Sequence, residues 1–218
     1  MKSIEIDVVS DVICPWCFLG KRRLDKAIGM LDDIRIEVNW RPFFLDPTIP
    51  AEGMSRRTYM ESKFGAERLK TIHDPLIAAG KEDGVPYAFD RITRSPNSMD
   101  AHRLIRWSHV SAKQHDVVER LFMAYWNGGL DIGDRTVLLK IAGDAGMDAG
   151  DVSKKLGDGT DVDAVNAEVN HAYRMGVTGV PCFIIARKQG LMGAQPVDQL
   201  AAAIRQLATD QPMASLIA

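Results

Sequence analysis

Two cysteines separated by two residues stand where a predicted β-strand gives way to a predicted helix. Apolar and polar residues alternate from Ile4 to Val8, and helical spacing of apolar residues then continues to about Leu31. The cysteines at the junction are Cys14 and Cys17. A Cys-x-x-Cys motif at a strand-to-helix junction is typical of a redox-active dithiol. The chain must therefore adopt a fold that presents a helix start at the end of a strand.

The position of the motif predicts different roles for its two thiols. Unpaired N–H groups and the helix dipole favour an anion at a helix start, and cysteines placed there titrate below their usual pKa of about 8.5. Pro15 suits the first helical turn, where its missing N–H costs nothing. We therefore expect Cys14 to be the exposed attacking thiolate, and Cys17, about one turn further along, to be the shielded resolving thiol.

The motif has two other interpretations that involve no redox chemistry. The cysteines could form half of a zinc site, or they could be a pair of inert buried thiols. A structural zinc ion needs four ligands, usually from two such pairs, and Cys182 is the only further cysteine. No histidine pair has metal-ligand spacing, so we predict no metal site. An odd number of cysteines also argues against a structural disulfide framework, which leaves a transient catalytic disulfide.

Composition restricts the partners and the compartment. The 218 residues are 46% hydrophobic with a net charge of −2, and acids and bases are interspersed. This predicts a well-buried core and no surface for nucleic acid or membranes. Acidic residues near the N-terminus fall where a signal peptide must be apolar, and no run approaches the ~20 apolar residues of a membrane span. We therefore expect a cytoplasmic protein.

The first part of the chain predicts a βαβ unit. A strand over residues 2–10 precedes the helix, and a second alternating run follows at Ile34–Trp40. The two strands should be parallel, with the cysteines at the carboxyl end of the first. Three prolines between Arg41 and Gly53 then predict a loop that leaves the sheet.

A long helical segment separates this unit from the end of the sheet. Helical periodicity covers most of residues 54–176, interrupted by one short extended piece near residues 85–89. We predict a sheet domain formed by residues 1–53 and 177–218, with residues 54–176 inserted as a helical domain.

The predicted sheet is completed after the insertion. A short apolar strand over residues 179–185 is entered through Pro181, and a hairpin partner follows at residues 191–193. An amphipathic helix over residues 198–207 closes the domain. From Asp210 onward we expect the chain to fray.

Four segments in this order resemble the DsbA-like thioredoxin superfamily over nearly the whole chain. Within it the chain is most similar to the cytosolic FrnE-like dithiol-disulfide oxidoreductases. The segments are Ser10-Asp11-Val12-Ile13-Cys14-Pro15-Trp16-Cys17, Asn97-Ser98 with Ala101-His102, Gly176-Val177-Thr178-Gly179-Val180-Pro181 and Gly193-Ala194-Gln195-Pro196. The resemblance implies an α/β thioredoxin fold, a central mixed β-sheet flanked by helices, with a helical insertion domain.

The resemblance also implies an active site. Cys14 and Cys17 would be catalytic, supported by Pro15, Trp16 and a cis peptide bond between Val180 and Pro181 packed against the cysteines. The backbone at Val180 would then face an incoming substrate chain, which could pair with it as an extra strand.

One departure from the family concerns the proton of Cys17. Thioredoxin and several periplasmic relatives have a buried acid six residues before the first cysteine, and this chain has Val8 there. Asp7 should point to the other face of the strand, and Asp11 lies in the loop before Cys14. The group that accepts the proton of Cys17 is therefore left open by the sequence.

Two further features have a structural and a functional interpretation. Cys182 follows the proline directly, and it is expected to be a buried core thiol, or else a third redox thiol near Cys14. The basic run Lys21-Arg22-Arg23 is expected to form a solvated helix face, or else to attract acidic peptides or glutathione.

A related glutathione-dependent branch supplies the alternative function. Kappa-class glutathione transferases and 2-hydroxychromene-2-carboxylate isomerases share the helical insertion but resemble a serine motif where this chain has Cys14 and Cys17. A substrate or glutathione cleft could still form, with an anion held at the start of the last helix. Its candidate residues are Asp11, Asn97, Ser98, His102, Ala194 and Gln195.

The sequence therefore predicts a thiol-disulfide oxidoreductase or isomerase that acts on protein disulfides. Reduction, isomerisation and oxidation share the same first exchange step. The predicted partners are disulfide-containing proteins or peptides and a cytosolic thiol reductant; no cofactor is required, and glutathione is a candidate co-substrate. The alternatives are a glutathione-dependent transferase or isomerase of a small molecule, and a non-catalytic chaperone on the same fold.

Overall fold

A computed structural model describes residues 2–68 and 71–209, so the expectation for the tail from Asp210 lies outside the described residues. The strands are β1 Lys2–Ser10, β2 Ile34–Pro42, β3 Met54–Ser55, β4 Arg94–Ser95, β5 Cys182–Ile185 and β6 Gln189–Met192. The helices are α1 Pro15–Ile28, α2 Arg56–Arg68, α3 Asp74–Asp83, α4 Met99–His109, α5 Gln114–Phe122, α6 Arg135–Asp144, α7 Ala149–Asp158, α8 Val162–Arg174 and α9 Val197–Thr209. Within the described ranges, no helix has the length and hydropathy that a membrane crossing requires.

The main sheet has four strands in the order β2-β1-β5-β6. Strands β1 and β2 are parallel, whereas β5 runs antiparallel to both β1 and β6. This mixed sheet flanked by helices confirms the predicted fold class. Because α1 begins directly after β1, the two cysteines lie at the carboxyl end of the central strand, as the βαβ pattern predicted.

The two faces of the sheet bury different clusters. Val8 pairs with Phe183, and both belong to the large core that includes α1 and α9. Val9 pairs with Cys182, and both belong to a smaller cluster with Ala172 of α8. Cys182 is therefore a buried core thiol on the opposite face from α1, and burial raises its pKa.

The segment between β2 and β5 is mostly helical but differs from the prediction in one place. The extended piece expected near residues 85–89 leads into a 3₁₀ turn at Phe89–Arg91, and the pairing strand comes later, where β4 meets β3. Two-residue strands leave no periodic pattern, because alternation needs at least four residues to be recognised.

The first residue of the basic run on α1, Lys21, is not solvated, so the expectation of a solvated helix face was wrong for that residue. Lys21 is only 2% exposed, and its Nζ forms ion pairs with Asp25 at 2.8 Å and Glu119 at 2.9 Å. Helix α5 packs over this side of α1 and supplies Glu119. A buried lysine persists only when it is paired, and these carboxylates meet that requirement.

Gly20 on α1 lets the helix approach the loop before β5. A Cβ atom at this position would lie 2.9 Å from Cγ of Pro181 and 3.1 Å from the Phe183 ring. Because both neighbours are buried, we expect Gly20→Ala to lower the free energy of unfolding by about 1–3 kcal/mol through overpacking. Urea unfolding measures this change.

Gly143 of α6 provides the matched control, because a Cβ atom there meets nothing within 4 Å. Alanine in a helix is favoured over glycine by roughly 0.5–1 kcal/mol, so Gly143→Ala should leave stability unchanged or raise it. Equal effects of the two substitutions would contradict the close contact between Gly20 and Pro181.

Candidate active site

The two cysteines lie in the first turn of α1. Cys14 is the N-cap residue, with extended backbone angles (φ −91°, ψ 115°), and Pro15 begins the helix. The N–H of Cys14 donates to the carbonyl of Asp11 at 3.0 Å, and the N–H of Cys17 donates to the carbonyl of Cys14 at 3.1 Å. The two cysteines approach each other to 3.6 Å and are free thiols. This separation allows a disulfide to close after a small movement.

Both thiols are buried, so the expectation that Cys14 is exposed was wrong. Cys14 is 2% exposed and Cys17 is 1% exposed. The reason is a long-range contact, in which Sγ of Cys14 donates to the carbonyl of Val180 at 3.7 Å. The peptide bond between Val180 and Pro181 is cis, and Pro181 is buried against α1. The loop before β5 therefore lies over the sulfur of Cys14.

The environment of Cys17 keeps its thiol protonated. Burial raises its pKa well above the ordinary value, and the hydrogen bond to Cys14 and the charge of Cys14 raise it further. The Ser10 hydroxyl and the backbone of Asp11 lower this pKa and so act in the opposite direction. Cys17 must therefore lose a proton before it can attack a disulfide.

Asp11 does not line an open cleft, which corrects its place among the candidate cleft residues. Its carboxylate is fully buried and accepts hydrogen bonds from the N–H of Ile13 at 3.3 Å and of Leu45 at 2.8 Å. It also lies 3.4 Å from Nε2 of His102. Asp11 thus joins the loop before Cys14 to the loop after β2.

The other candidates from the helical segment lie at the start of α4. Oδ1 of Asn97, the residue before the N-cap Ser98, accepts from the N–H of Met99 at 3.0 Å, and its Nδ2 donates to the carbonyl of Ile49. Ser98 is buried. His102 is also buried, with Nε2 3.0 Å from the carbonyl of Phe43. Of these three residues, His102 is the one that lies beside the carboxylate of Asp11, at 3.4 Å.

Ala194 and Gln195 lie beside the proline loop. The N–H of Gly193 donates to the carbonyl of Pro181 at 2.7 Å, and Arg23 of α1 donates to the carbonyl of Ala194 at 2.6 Å. The side chain of Gln195 donates to the carbonyl of Met192, and its N–H donates to Gly193. These polar groups already form hydrogen bonds within the protein, in and around the loop that precedes α9.

Comparison with known families agrees with this geometry. The model of the DSBA-like thioredoxin domain matches residues 5–205. The chain belongs to the DSBA-like thioredoxin domain family. A curated relative, the uncharacterized protein YwbO of Bacillus subtilis, is 29% identical over 193 residues, covering 84% of this chain and 87% of that protein.

Solved structures show the same architecture. A probable DsbA oxidoreductase of Streptomyces coelicolor superposes with a TM-score of 0.87 at 29% identity, covering 98% of this chain and 94% of that one. 2-Hydroxychromene-2-carboxylate isomerase has a TM-score of 0.74 at 18% identity, with 94% and 97% covered. The cytosolic disulfide reductase DsbM of Pseudomonas aeruginosa, solved with GSH, has a TM-score of 0.65 at 20% identity, with 93% and 98% covered. At 18% and 20% identity, the last two comparisons show a shared fold and nothing more.

Two aromatic residues of this DSBA-like chain hold the cysteine turn in place. The sequence did not identify them as site residues. The hydroxyl of Tyr87 donates to the carbonyl of Pro15 at 2.6 Å, and Nε1 of Trp126 donates to the carbonyl of Val12 at 2.9 Å. Burial, followed by the charge of Cys14, raises the pKa of Tyr87, so it remains a donor. Both residues come from the helical segment, and no local motif could have revealed their pairing with the turn.

Two of the cavities among the described residues are lined by β2 and α4. The larger, of about 590 Å³, opens between β2, α4 and the region of α7, and the smaller holds about 10 Å³. His102 and Trp40 line both, and Ser10 lines only the smaller. Neither cysteine lines either cavity. Across residues 2–68 and 71–209, no cluster of His, Cys, Asp and Glu could hold a metal ion.

Proposed function

We propose that this protein is a thiol-disulfide oxidoreductase that acts on protein disulfides through Cys14 and Cys17. The observation that carries the proposal is a free dithiol at the start of α1, in which the resolving thiol is buried and has a raised pKa. An inert pair would need neither the N-cap position nor a second thiol within reach of the first. Membership of the DSBA-like family supports oxidoreductase chemistry.

The proposed reaction begins with Cys14. Its thiolate attacks one sulfur of a substrate disulfide, and the other substrate sulfur leaves as a thiolate that takes up a proton. The Cys17 thiolate then attacks Sγ of Cys14 in the mixed disulfide. A bond forms between the two cysteines, and the second substrate sulfur leaves with the electron pair of its bond to Cys14. The substrate is reduced by two electrons, and a disulfide joins Cys14 to Cys17 until a thiol reductant reopens it.

The loop before β5 is the proposed substrate contact. The Val180 carbonyl already accepts a hydrogen bond from Cys14, so an extended substrate backbone that pairs beside it would bring its disulfide to the same sulfur. Trp16, between the two cysteines in the sequence, is 42% exposed and offers apolar contact to such a chain. We propose a cytoplasmic location, disulfide-containing proteins or peptides as substrates and a cytosolic thiol as the reductant.

The second candidate is a glutathione-dependent isomerase or transferase of a small molecule. Its support is the shared fold with 2-hydroxychromene-2-carboxylate isomerase and with DsbM, which was solved with GSH. The cysteines at both active positions favour dithiol exchange instead, because one serine or cysteine would suffice to hold a glutathione sulfur. Glutathione is then proposed as a co-substrate that reopens the disulfide.

Insulin incubated with the Cys17→Ser variant tests the proposal. We expect a covalent mixed disulfide between Cys14 and insulin, because no second thiol can resolve it, and mass spectrometry identifies the adduct. Wild-type protein with dithiothreitol should reduce insulin without glutathione. If Cys17→Ser forms no adduct and keeps a glutathione-dependent activity on a small electrophile, the second candidate replaces the first.

A further inference from the structure

Arg23 of α1 joins two other parts of the molecule. Its side chain is only 18% exposed, although the basic run that contains it was expected to form a solvated helix face. Nε of Arg23 donates to Oδ2 of Asp83 at 2.7 Å, at the end of α3. One terminal nitrogen donates to the carbonyl of Ala194 at 2.6 Å, in the loop that precedes α9. A planar guanidinium presents its donors in fixed directions, so Arg23 binds both acceptors at once.

Asp83 fixes the position of this guanidinium. Its side chain is 8% exposed and also accepts from Nζ of Lys26 at 2.8 Å. Burial acts to raise the pKa of Asp83, but the hydrogen bonds from Lys26 and Arg23 outweigh it and hold that pKa below its usual value. The carboxylate is therefore ionised at neutral pH, and hydrogen bonds to an ionised acceptor are stronger than those between neutral groups.

The path from Arg23 continues through the loop to the cysteines. Gly193, directly before Ala194, has φ +80°, a left-handed conformation that favours glycine. Its N–H donates to the carbonyl of Pro181 at 2.7 Å. Pro181 follows Val180, whose carbonyl accepts from Sγ of Cys14 at 3.7 Å. Hydrogen bonds and peptide bonds thus connect Arg23 to the carbonyl that faces Cys14.

Both ends of this path belong to α1, since Cys14 caps the helix and Arg23 lies within it. The contact of Cys14 with Val180 needs a hydrogen on the sulfur, because a carbonyl only accepts. A thiolate, a mixed disulfide and a disulfide with Cys17 all lack that hydrogen. Of these two hydrogen bonds from α1, the one from Cys14 is therefore lost during the proposed reaction and the one from Arg23 is kept.

We propose that Arg23 is a positioning residue, which holds the loop before β5 in place for the substrate after Cys14 has released Val180. This inference rests on the proposed function, because it concerns how a disulfide-containing chain pairs with that loop. Once Cys14 has lost its hydrogen, the Val180 carbonyl is available to a backbone N–H of the substrate. Arg23 acts through the loop and not on the sulfurs.

The kinetics of Arg23→Gln test the proposal, with fluorescein-labelled insulin as substrate and dithiothreitol at a saturating concentration. We expect KM for insulin to rise by about tenfold and kcat to stay within about twofold, because the loss of a charge-assisted hydrogen bond weakens substrate binding and leaves the cysteines in place. Dithiobis(nitrobenzoate) is too small to need backbone pairing. Its reaction with Cys14 should therefore not be slowed.

Lys26→Gln is the matched control. Lys26 lies on the same helix and donates to the same carboxylate of Asp83, but among the described residues it makes no hydrogen bond to the loop, so its KM should match that of the wild type. Arg23→Lys keeps a positive charge beside Asp83 and lacks the planar fork that reaches both acceptors. It should keep the thermal stability and still raise KM, so it tests the proposal if Arg23→Gln folds poorly.

Hydrogen exchange separates this inference from the proposed function. The amide of Gly193 should exchange at least about tenfold faster in both Arg23 variants than in Lys26→Gln, because the loop opens locally more often. If the wild type fails to reduce insulin, the proposed function is wrong, and exchange at Gly193 still decides whether Arg23 anchors the loop. An unchanged KM in both Arg23 variants would overturn the inference. An equal rise of KM in Lys26→Gln, or an equal slowing of the dithiobis(nitrobenzoate) reaction, would also overturn it.

Discussion

Cys14→Ser is expected to lower the rate of insulin reduction by at least about a thousandfold, to the rate of the buffer thiol alone. A serine hydroxyl does not ionise at neutral pH, and only a thiolate attacks a disulfide. The remaining thiol, Cys17, cannot substitute because burial keeps its pKa well above the ordinary value. Insulin precipitation in the presence of dithiothreitol measures the rate.

Cys182→Ser provides the matched control for this experiment. Cys182 lies on the opposite face of the sheet from α1, among Val9, Phe43 and Ala172, so its removal should leave the rate within about twofold if it has no redox role. A loss comparable to that of Cys14→Ser would make Cys182 a third redox thiol. Retention of activity in Cys14→Ser would overturn the proposed attacking residue.

Asp11→Ala is expected to lower the free energy of unfolding by about 3 kcal/mol. The substitution leaves the N–H groups of Ile13 and Leu45 without acceptors in a buried site, and each unsatisfied group costs about 1–3 kcal/mol. His102 also loses its neighbouring carboxylate. Urea unfolding followed by circular dichroism gives the free energy of unfolding, and the expected change is a large share of the stability of a typical domain.

Asp33→Ala is the matched control, because that carboxylate is exposed and its ion pair among the described residues is with Arg205 at 3.1 Å. Exposed ion pairs contribute about 0–1 kcal/mol, so the change should be small. If Asp11→Ala proves as mild as Asp33→Ala, the buried carboxylate does not stabilise the loop before Cys14 as its hydrogen bonds indicate.

Local sequence patterns were sufficient to predict the strands of the main sheet and the helix that follows β1. The alternation at Ile4, Ile6 and Val8 and the helical spacing after Cys14 identified β1 and α1 because backbone periodicity determines which side chains share a face. The bounds moved by up to three residues, since α1 ends at Ile28 where Leu31 was expected. The short pair β3 and β4 was missed because two residues carry no period.

The environment of the site could not be predicted in the same way. Cys14 is covered by Val180, which lies 166 residues along the chain, and Tyr87 and Trp126 reach the turn from the helical segment. Such contacts depend on how distant elements pack, and the sequence near Cys14 holds no signal for them. The exposure expected of Cys14 and the solvation expected of Lys21 failed for this reason.

The unequal burial of the tryptophans gives the site an optical reporter. Trp16 lies between the two cysteines in the sequence and is 42% exposed, whereas Trp40, Trp107 and Trp126 are each at most 8% exposed. Red-edge fluorescence and collisional quenching by iodide should therefore report on one indole, whose neighbours change from two thiols to a disulfide in each cycle of the proposed reaction. The protein carries its own spectroscopic probe for following turnover without any label.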